Sequence, residues 1–275
     1  MATHCYDIND LKRLMERLRD PAYGCPWDLQ QSYQSIAPFT LEEGLELIAA
    51  REQHDYGHVE EAVGDLLFQI IFYAQLGKED GWFDFDSVVA RITDKLIRRH
   101  PHVFHEGQLE GVIEEHSSLE SIKANWERGK SLERAQRAQM SVMDDIPTTL
   151  SALARAQKLQ KRAATVGFDF ADDEAVSAQL ASEIEELRQA TLTEKAVEIE
   201  NELGDVLFTV VNMARHLKVD SEAALRKANR RFEGRVRAAE TAARGEDSEL
   251  EWEDSDRLDE RWKEAKRKER TNHDL

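Results

Sequence analysis

The sequence predicts an all-α protein made of two tandem copies of one helical-bundle unit. The 275-residue chain is rich in Glu, Ala, Leu and Arg and holds only five prolines and thirteen glycines, a composition that favours helices throughout. The pentapeptide Gly64-Asp65-Leu66-Leu67-Phe68 returns as Gly204-Asp205-Val206-Leu207-Phe208, which indicates an internal repeat. We place the boundary at Asp144-Asp145-Ile146-Pro147, with one copy in residues 1–140 and the other in residues 146–275.

The first copy begins with an amphipathic helix over residues 11–18. Turn formers follow at residues 24–28, where Trp27 either fills the core or contacts a ligand. Thr40 and, three residues later, Glu43 have the spacing of a capping box, which predicts a helix start. Further helices are expected near residues 58–76, 87–99 and 126–140, with a loop over residues 105–118.

The second copy repeats this order of helices. Ser221, followed by an acid, has the character of an N-cap and predicts another helix start. Loops are expected at residues 167–170 and 245–256. The predicted helices cover residues 150–159, a hairpin over 173–217 that turns near 191–194, residues 221–244, and a last helix that holds Trp262 and Lys266.

Four acidic residues of the predicted hairpin are spaced to meet. Glu183 and Glu186 lie one helical turn apart, and so do Glu202 and Asp205. Position 194 is the midpoint between Glu183 and Asp205 and also between Glu186 and Glu202. An antiparallel turn there therefore brings the four carboxylates to the same height along the hairpin. Such a concentration of negative charge is costly without a cation. Because Mg²⁺ prefers carboxylate and phosphate oxygens, the spacing predicts a magnesium site; the alternative is a solvated acidic helix face.

The first copy carries an incomplete version of these acids. Glu43, Glu46 and Asp65 repeat the pattern, with the same separation of 22 positions between the first and the last acid. Ala62 stands where the remaining glutamate would be, and the adjacent Glu61 is rotated by about 100° around the helix. The metal site of the first copy is therefore expected to be the weaker one.

Composition narrows the class of function. The chain has 37 Lys and Arg residues against 55 Asp and Glu, a formal charge of −18, which argues against direct nucleic-acid binding. No apolar run approaches the ~20 residues of a membrane span, and the first residues do not resemble a signal peptide. Two cysteines, Cys5 and Cys25, fit a reducing compartment. We therefore expect a cytoplasmic protein.

Several known catalytic patterns are absent from the sequence, among them the Glu-x-x-His pairs of di-iron bundles and the Gly-rich P-loop. Phosphate binding would then rest on a metal and on side-chain cations. Arg231 and Arg235 lie on one helix face and could hold phosphates in a bidentate manner, or they are ordinary surface arginines. Trp262 could stack on a base or anchor the core, and Lys266 lies one turn further on the same face.

A set of short motifs closely resembles the MazG family of nucleoside triphosphate pyrophosphohydrolases. In chain order these are G-C-P-W-D at 24–28, L-E-E at 41–43, G-D-L-L-F at 64–68, R-R-H-P-H-V-F at 98–104, K-L-Q-K-R at 158–162 and V-G-F-D at 166–169. The resemblance covers residues 11–268. It implies a dimeric helical bundle that hydrolyses NTPs or dNTPs, with Mg²⁺, to the monophosphate and pyrophosphate. Metal-activated water would attack the α-phosphorus.

The resemblance also assigns roles to residues of the second copy. It implies that Glu183, Glu186, Glu202 and Asp205 are the catalytic metal ligands, and that Arg231, Arg235, Trp262 and Lys266 contact the nucleotide. Two positions depart from the family pattern of E-E-x-x-E followed by E-x-x-D. Ser182 replaces the first glutamate, which should affect the rate more than metal binding, and Ala62 replaces a glutamate in the first copy. The alternative function is a nucleotide-sensing regulatory protein with little turnover.

Overall fold

The computed structural model describes residues 5–104, 107–110, 118–122, 125, 126, 129, 141–246 and 248–273. Over these residues the regular structure is helical, without a strand, and none of the helices in this part of the chain is long and apolar enough to cross a membrane. The chain divides into two compact units, Met1–Leu132 and Glu133–Leu275. The predicted fold, all-α with two tandem copies, is confirmed.

Some predictions fall outside this part of the chain. The helix predicted over residues 126–140 and most of the loop predicted over 105–118 lie among residues that the structure does not describe. The domain boundary that we placed between residues 140 and 146 also stays a prediction.

The first unit is built around an antiparallel helical hairpin. Its helices are α1 (Ile8–Leu18), α2 (Pro26–Leu29), α3 (Tyr33–Glu52), α4 (Tyr56–Glu79) and α5 (Phe85–Arg99). The helices α3 and α4 form the hairpin, and both α1 and α5 pack against α4. The core consists of Met15, Ile36, Ile71, Phe72 and Leu76. It is supplemented by a partly buried ion pair, in which Arg19 Nε donates to Glu79 Oε1 at 2.8 Å and links α1 to α4.

The second unit follows the same plan with smaller buried side chains. Its helices are α6 (Ala152–Ala164), α7 (Asp173–Thr193), α8 (Ala196–His216), α9 (Ser221–Arg244) and α10 (Ser255–His273), with a short 3₁₀ helix at Leu250–Trp252. The hairpin is α7 with α8, while α9 packs against α10. Apart from Ile146, the buried apolar residues described in this unit are the valines and alanines Val176, Ala190, Val211, Ala239, Ala243 and Ala265.

Both hairpins turn at equivalent residues. His54 and Glu194 lie 140 positions apart, and both adopt the left-handed conformation, with φ of 59° and 55°. Glu194 ends α7, and just beyond it Lys195 Nζ donates to Glu198 Oε1 at 2.7 Å in the first turn of α8. The turn predicted at residues 191–194 therefore lies at its last residue, because α7 continues to Thr193. This places the turn at the midpoint that the acids predict.

One predicted helix start and one predicted N-cap are wrong. The helix that we started at Thr40 begins at Tyr33, with Ser32 as its N-cap; the Thr40 hydroxyl instead donates to the carbonyl of Ile36, 3.2 Å away. The helix predicted over residues 221–244 does begin at Ser221 and end at Arg244, but its N-cap is Asp220, whose carboxylate accepts from the backbone N–H of Ala223. In both cases a second capping residue lies upstream, so the composition of the first turn did not decide between them.

One half of the prediction for Trp27, a place in the core, is wrong, and the other half, contact with a ligand, stays a prediction. Trp27 belongs to the short helix α2, remains 54% exposed, and packs on one side against Phe39, with 6.1 Å between the ring centres. It is therefore not a core residue of the first unit.

Candidate metal centre in the second unit

Three glutamates converge across the hairpin of the second unit. Glu183 and Glu186 on α7 and Glu202 on α8 each place a carboxylate oxygen within 4.8 Å of the others. Among the described residues, this is the one group of three or more His, Cys, Asp or Glu side chains close enough to share an ion. The antiparallel turn at Glu194 sets the register that brings the two helices' acids together.

Two neighbouring polar side chains hold the α7 carboxylates. Gln179 Nε2 donates to Glu183 Oε1 at 2.7 Å, and Ser182 Oγ donates to Glu186 Oε1 at 2.9 Å. Each donor lies one turn before its acceptor. Sequence reasoning treated Ser182 only as a missing acid and did not identify Gln179, although the spacing of four residues was a usable signal.

The electrostatics of the group centre on Glu202. Burial raises the pKa of its carboxyl, and the charges of Glu186, Asp205 and Glu183 raise it further. Asp205 is exposed and lies outside the group of three, yet its charge acts on Glu202 from one turn away. Negative charge thus accumulates at the place where a divalent cation would balance it.

The first unit has only part of this arrangement. Burial raises the pKa of Glu43, and the charges of Asp65 and Glu46 add to the rise. The position that corresponds to Glu202 is Ala62, which is 1% exposed. A methyl group packed inside the first hairpin therefore takes the place of the second unit's central carboxylate.

The predicted nucleotide contacts lie on α9 and α10. The guanidinium of Arg235 is 5.3 Å from the centre of the Trp262 ring, and Arg235 Nε donates to Glu269 Oε2 at 2.7 Å. Phe232 lies 5.5 Å from the same ring of Trp262. Trp262 is therefore engaged in packing α9 against α10. Its contact with a nucleotide stays a prediction.

A basic groove runs beside these side chains. Arg231 is exposed and lines it together with Arg230, Arg235 and Lys268. Lys266 is half-buried on α10. The described contacts thus bring Arg235 and Trp262 together and place Arg231 beside Arg235, whereas the assignment of all four residues to the substrate stays a prediction.

The matches to known proteins include both helical hairpins. The model of the MazG nucleotide pyrophosphohydrolase domain matches residues 31–104 and 172–238. Over 266 residues the chain is 45% identical to the nucleoside triphosphate pyrophosphohydrolase of Escherichia coli (strain K12), which covers 95% of this chain and 98% of that protein.

More distant relatives match over similar lengths. A nucleoside triphosphate pyrophosphohydrolase/pyrophosphatase MazG from Thermotoga maritima is 38% identical over 259 residues, which is 94% of this chain and 95% of the relative. The nucleoside triphosphate pyrophosphohydrolase of Mycolicibacterium smegmatis is 32% identical over 249 residues, 88% of this chain and 67% of the relative.

Proposed function

This chain belongs to the MazG nucleotide pyrophosphohydrolase family, and we propose that it hydrolyses nucleoside triphosphates to the monophosphate and pyrophosphate at the acidic group of its second unit. The observation that carries this proposal is the convergence of Glu183, Glu186 and Glu202 across the hairpin. A triphosphate is itself anionic, so these carboxylates can only hold it through a cation. The proposed cation is Mg²⁺.

The donor set fits this ion. Mg²⁺ takes hard oxygen ligands, usually a few carboxylates together with water and substrate phosphates. Glu183, Glu186 and Glu202 would hold it, with Asp205 as the fourth carboxylate. When bound, the ion offsets the charge of the phosphates and lowers the pKa of a coordinated water.

The side chains around the group supply order and positive charge. Because Gln179 and Ser182 already hold two of the carboxylates, less side-chain ordering remains to be done when ligands bind. We propose that Arg231 and Arg235 hold the outer phosphates. Arg235 would then exchange its ion pair with Glu269 for a phosphate oxygen.

Identification of the products tests the reaction. Purified protein is incubated with Mg²⁺ and each of the common NTPs and dNTPs, and the products are separated by ion-exchange chromatography. We expect a nucleoside monophosphate and pyrophosphate in equal amounts. A nucleoside diphosphate with orthophosphate would place the cleavage elsewhere. Saturable binding without turnover would favour the nucleotide-sensing alternative, to which Ser182 and Ala62 point.

Binding of Mg²⁺ is expected to stabilise the second unit. At a concentration of 100 times its Kd, a ligand that binds only the folded state adds about 2.7 kcal/mol, which corresponds to a rise in Tm of about 5–10 °C for a domain of this size. Scanning calorimetry in EDTA and in MgCl₂ measures the rise. Glu202→Gln should lose most of it, whereas Glu200→Gln, an exposed acid on the same helix, should keep it. The same rise in both variants would contradict the site.

We also propose that the protein is a homodimer in the cytoplasm. On α8, the side chains of Leu203, Leu207 and Val210 are 46%, 51% and 45% exposed, and their spacing places them on one stripe. A side chain added at the neighbouring Gly204 would meet open space, so another molecule can approach the helix closely there. The cytoplasm is proposed because both cysteines are free.

Sedimentation equilibrium tests the dimer. The expected mass is twice that of the chain. Leu207→Glu places a charge on the stripe and should shift the protein to a monomer. The stripe is not the interface if Leu207→Glu sediments with the mass of the unsubstituted protein.

A further inference from the structure

An apolar pocket of the second unit is lined in part by α8, the helix that carries Glu202 and Asp205. Side chains of α6, of α8 and of the segment between α6 and α7 line it, among them Leu159, Gln160, Phe168, Phe170, Phe208 and Asn212. Two of the aromatic rings are open to solvent, with Phe168 83% and Phe208 45% exposed. The pocket therefore offers flat apolar faces that nothing within this unit covers over the described residues.

The pocket shares one face of α8 with Asp205. Phe208 follows Asp205 by three residues and Asn212 follows it by seven, so all three lie on one stripe of the helix. With a rise of 1.5 Å per residue, Phe208 is about 4.5 Å and Asn212 about 10 Å further along the axis. A ligand whose phosphates sit at the carboxylates would extend its other end along this stripe.

One polar group in the pocket lining lacks a partner. Gln160 is only 6% exposed, and its Nε2 donates to the backbone carbonyl of Phe208 at 2.8 Å. That bond fixes the amide, and leaves the buried Oε1 without a hydrogen bond in this part of the chain. A buried acceptor without a partner is costly, and native proteins seldom keep one without a reason. An N–H group of a ligand would satisfy it.

The first unit has a larger, buried side chain at the position equivalent to Asn212. The residue 140 positions before Asn212 is Phe72, which is 1% exposed and fills the core of the first unit beside Met15. The smaller Asn212 is held by Arg215, whose Nη2 donates to its Oδ1 at 2.7 Å. At this position, the unit with the full set of acids is thus the one with the smaller side chain, and that side chain lines the pocket.

We infer that this pocket binds the nucleobase of the substrate, stacked on a phenylalanine ring, with an N–H of the base edge donating to Gln160 Oε1. The inference rests on the proposed function, because the phosphates of the same molecule lie at the glutamates. Trp262, the other aromatic candidate for a base, already contacts Arg235 and Phe232. It is better suited to positioning Arg235.

Removal of the exposed ring tests the inference. For Phe168→Ala we expect KM to rise about tenfold for every NTP, since base stacking on an aromatic side chain is worth roughly this much, with kcat changed less than about twofold. Phe168→Tyr should restore KM. Tyr23→Ala, which removes a ring of similar exposure in the first unit, is the matched control and should change neither parameter.

Inorganic tripolyphosphate, which has no base, separates this pocket from the phosphate site. Its Ki as an inhibitor of NTP hydrolysis should be the same for Phe168→Ala and for the unsubstituted protein. Gln160→Leu should likewise raise KM for NTPs without changing this Ki. An equal change in KM and Ki would overturn the inference. The inference would also be overturned if Phe168→Ala left KM unchanged and turned the protein into a monomer. Phe168 would then lie in the contact between two copies of the chain, and the second copy would cover the pocket in the unsubstituted protein.

The base pocket can be tested separately even if the proposed hydrolysis is not observed. If the unsubstituted protein hydrolyses no NTP, equilibrium dialysis of labelled NTP with Mg²⁺ replaces KM. A tenfold weaker Kd for Phe168→Ala, with the same Kd for tripolyphosphate, would still support a base pocket. Equal affinities of both proteins for NTP would refute it independently of turnover.

Discussion

Replacement of Glu186 by alanine is expected to lower pyrophosphate release by about 10³-fold or more. The variant removes one of the three carboxylates whose oxygens lie within 4.8 Å of one another and leaves the hydroxyl of Ser182 without its acceptor. A catalytic metal contributes several kcal/mol to transition-state stabilisation, and each 1.36 kcal/mol is a factor of ten in rate. Loss of about 4 kcal/mol gives the expected factor. Initial rates of pyrophosphate release at saturating Mg²⁺ measure it.

The repeat provides a matched control for this variant. Glu46 stands 140 positions before Glu186, on the equivalent helix, and is similarly exposed. Because the first unit has Ala62 in place of the central glutamate, Glu46→Ala should change the rate by no more than about twofold. Equal losses in the two variants would mean that both units contribute to catalysis, and would contradict the assignment of the reaction to the second unit.

The acidic site was largely predictable from the sequence because its geometry depends on few variables. In an antiparallel hairpin, residues at equal distances from the turn face each other. The spacing of Glu183, Glu186, Glu202 and Asp205 therefore determines where the turn must lie, and the chain does turn at Glu194. What the spacing could not determine is how far each carboxylate reaches. Asp205 stays exposed and outside the group of three, because side-chain rotamers depend on the local packing.

The apolar pocket was not predictable in the same way. It combines α6, the segment that follows it and α8, and no single spacing relates these three parts of the chain. The one available signal was the difference between Phe72 and Asn212 at equivalent positions of the repeat. A comparison of the acidic positions alone does not reveal it. The start of α3 was wrongly predicted for a different reason, since Ser32 and Thr40 are both competent caps and the choice depends on tertiary packing.

Replacement of Phe72 by alanine is expected to destabilise the first unit by about 3–5 kcal/mol, the usual effect of removing a buried phenylalanine side chain. Phe72 is 1% exposed and packs edge-on against Phe68, with 6.0 Å between ring centres. The guanidinium of Arg19 lies 5.4 Å from the centre of its ring, so the cavity would also loosen the link between α1 and α4. Urea unfolding followed by circular dichroism measures the change, and Phe39→Ala, at a partly exposed ring, should cost less.

The same variant separates stability from catalysis. Every acid and cation that we assign to the reaction belongs to the second unit, and so does the hairpin turn that sets their register. Phe72→Ala should therefore keep pyrophosphate release within about twofold, even at urea concentrations at which the first unit has begun to unfold. If activity falls in parallel with the unfolding of the first unit, the second unit needs the first to hold its glutamates in place. Catalysis would then be a property of the whole chain, and the three converging glutamates alone would not account for it.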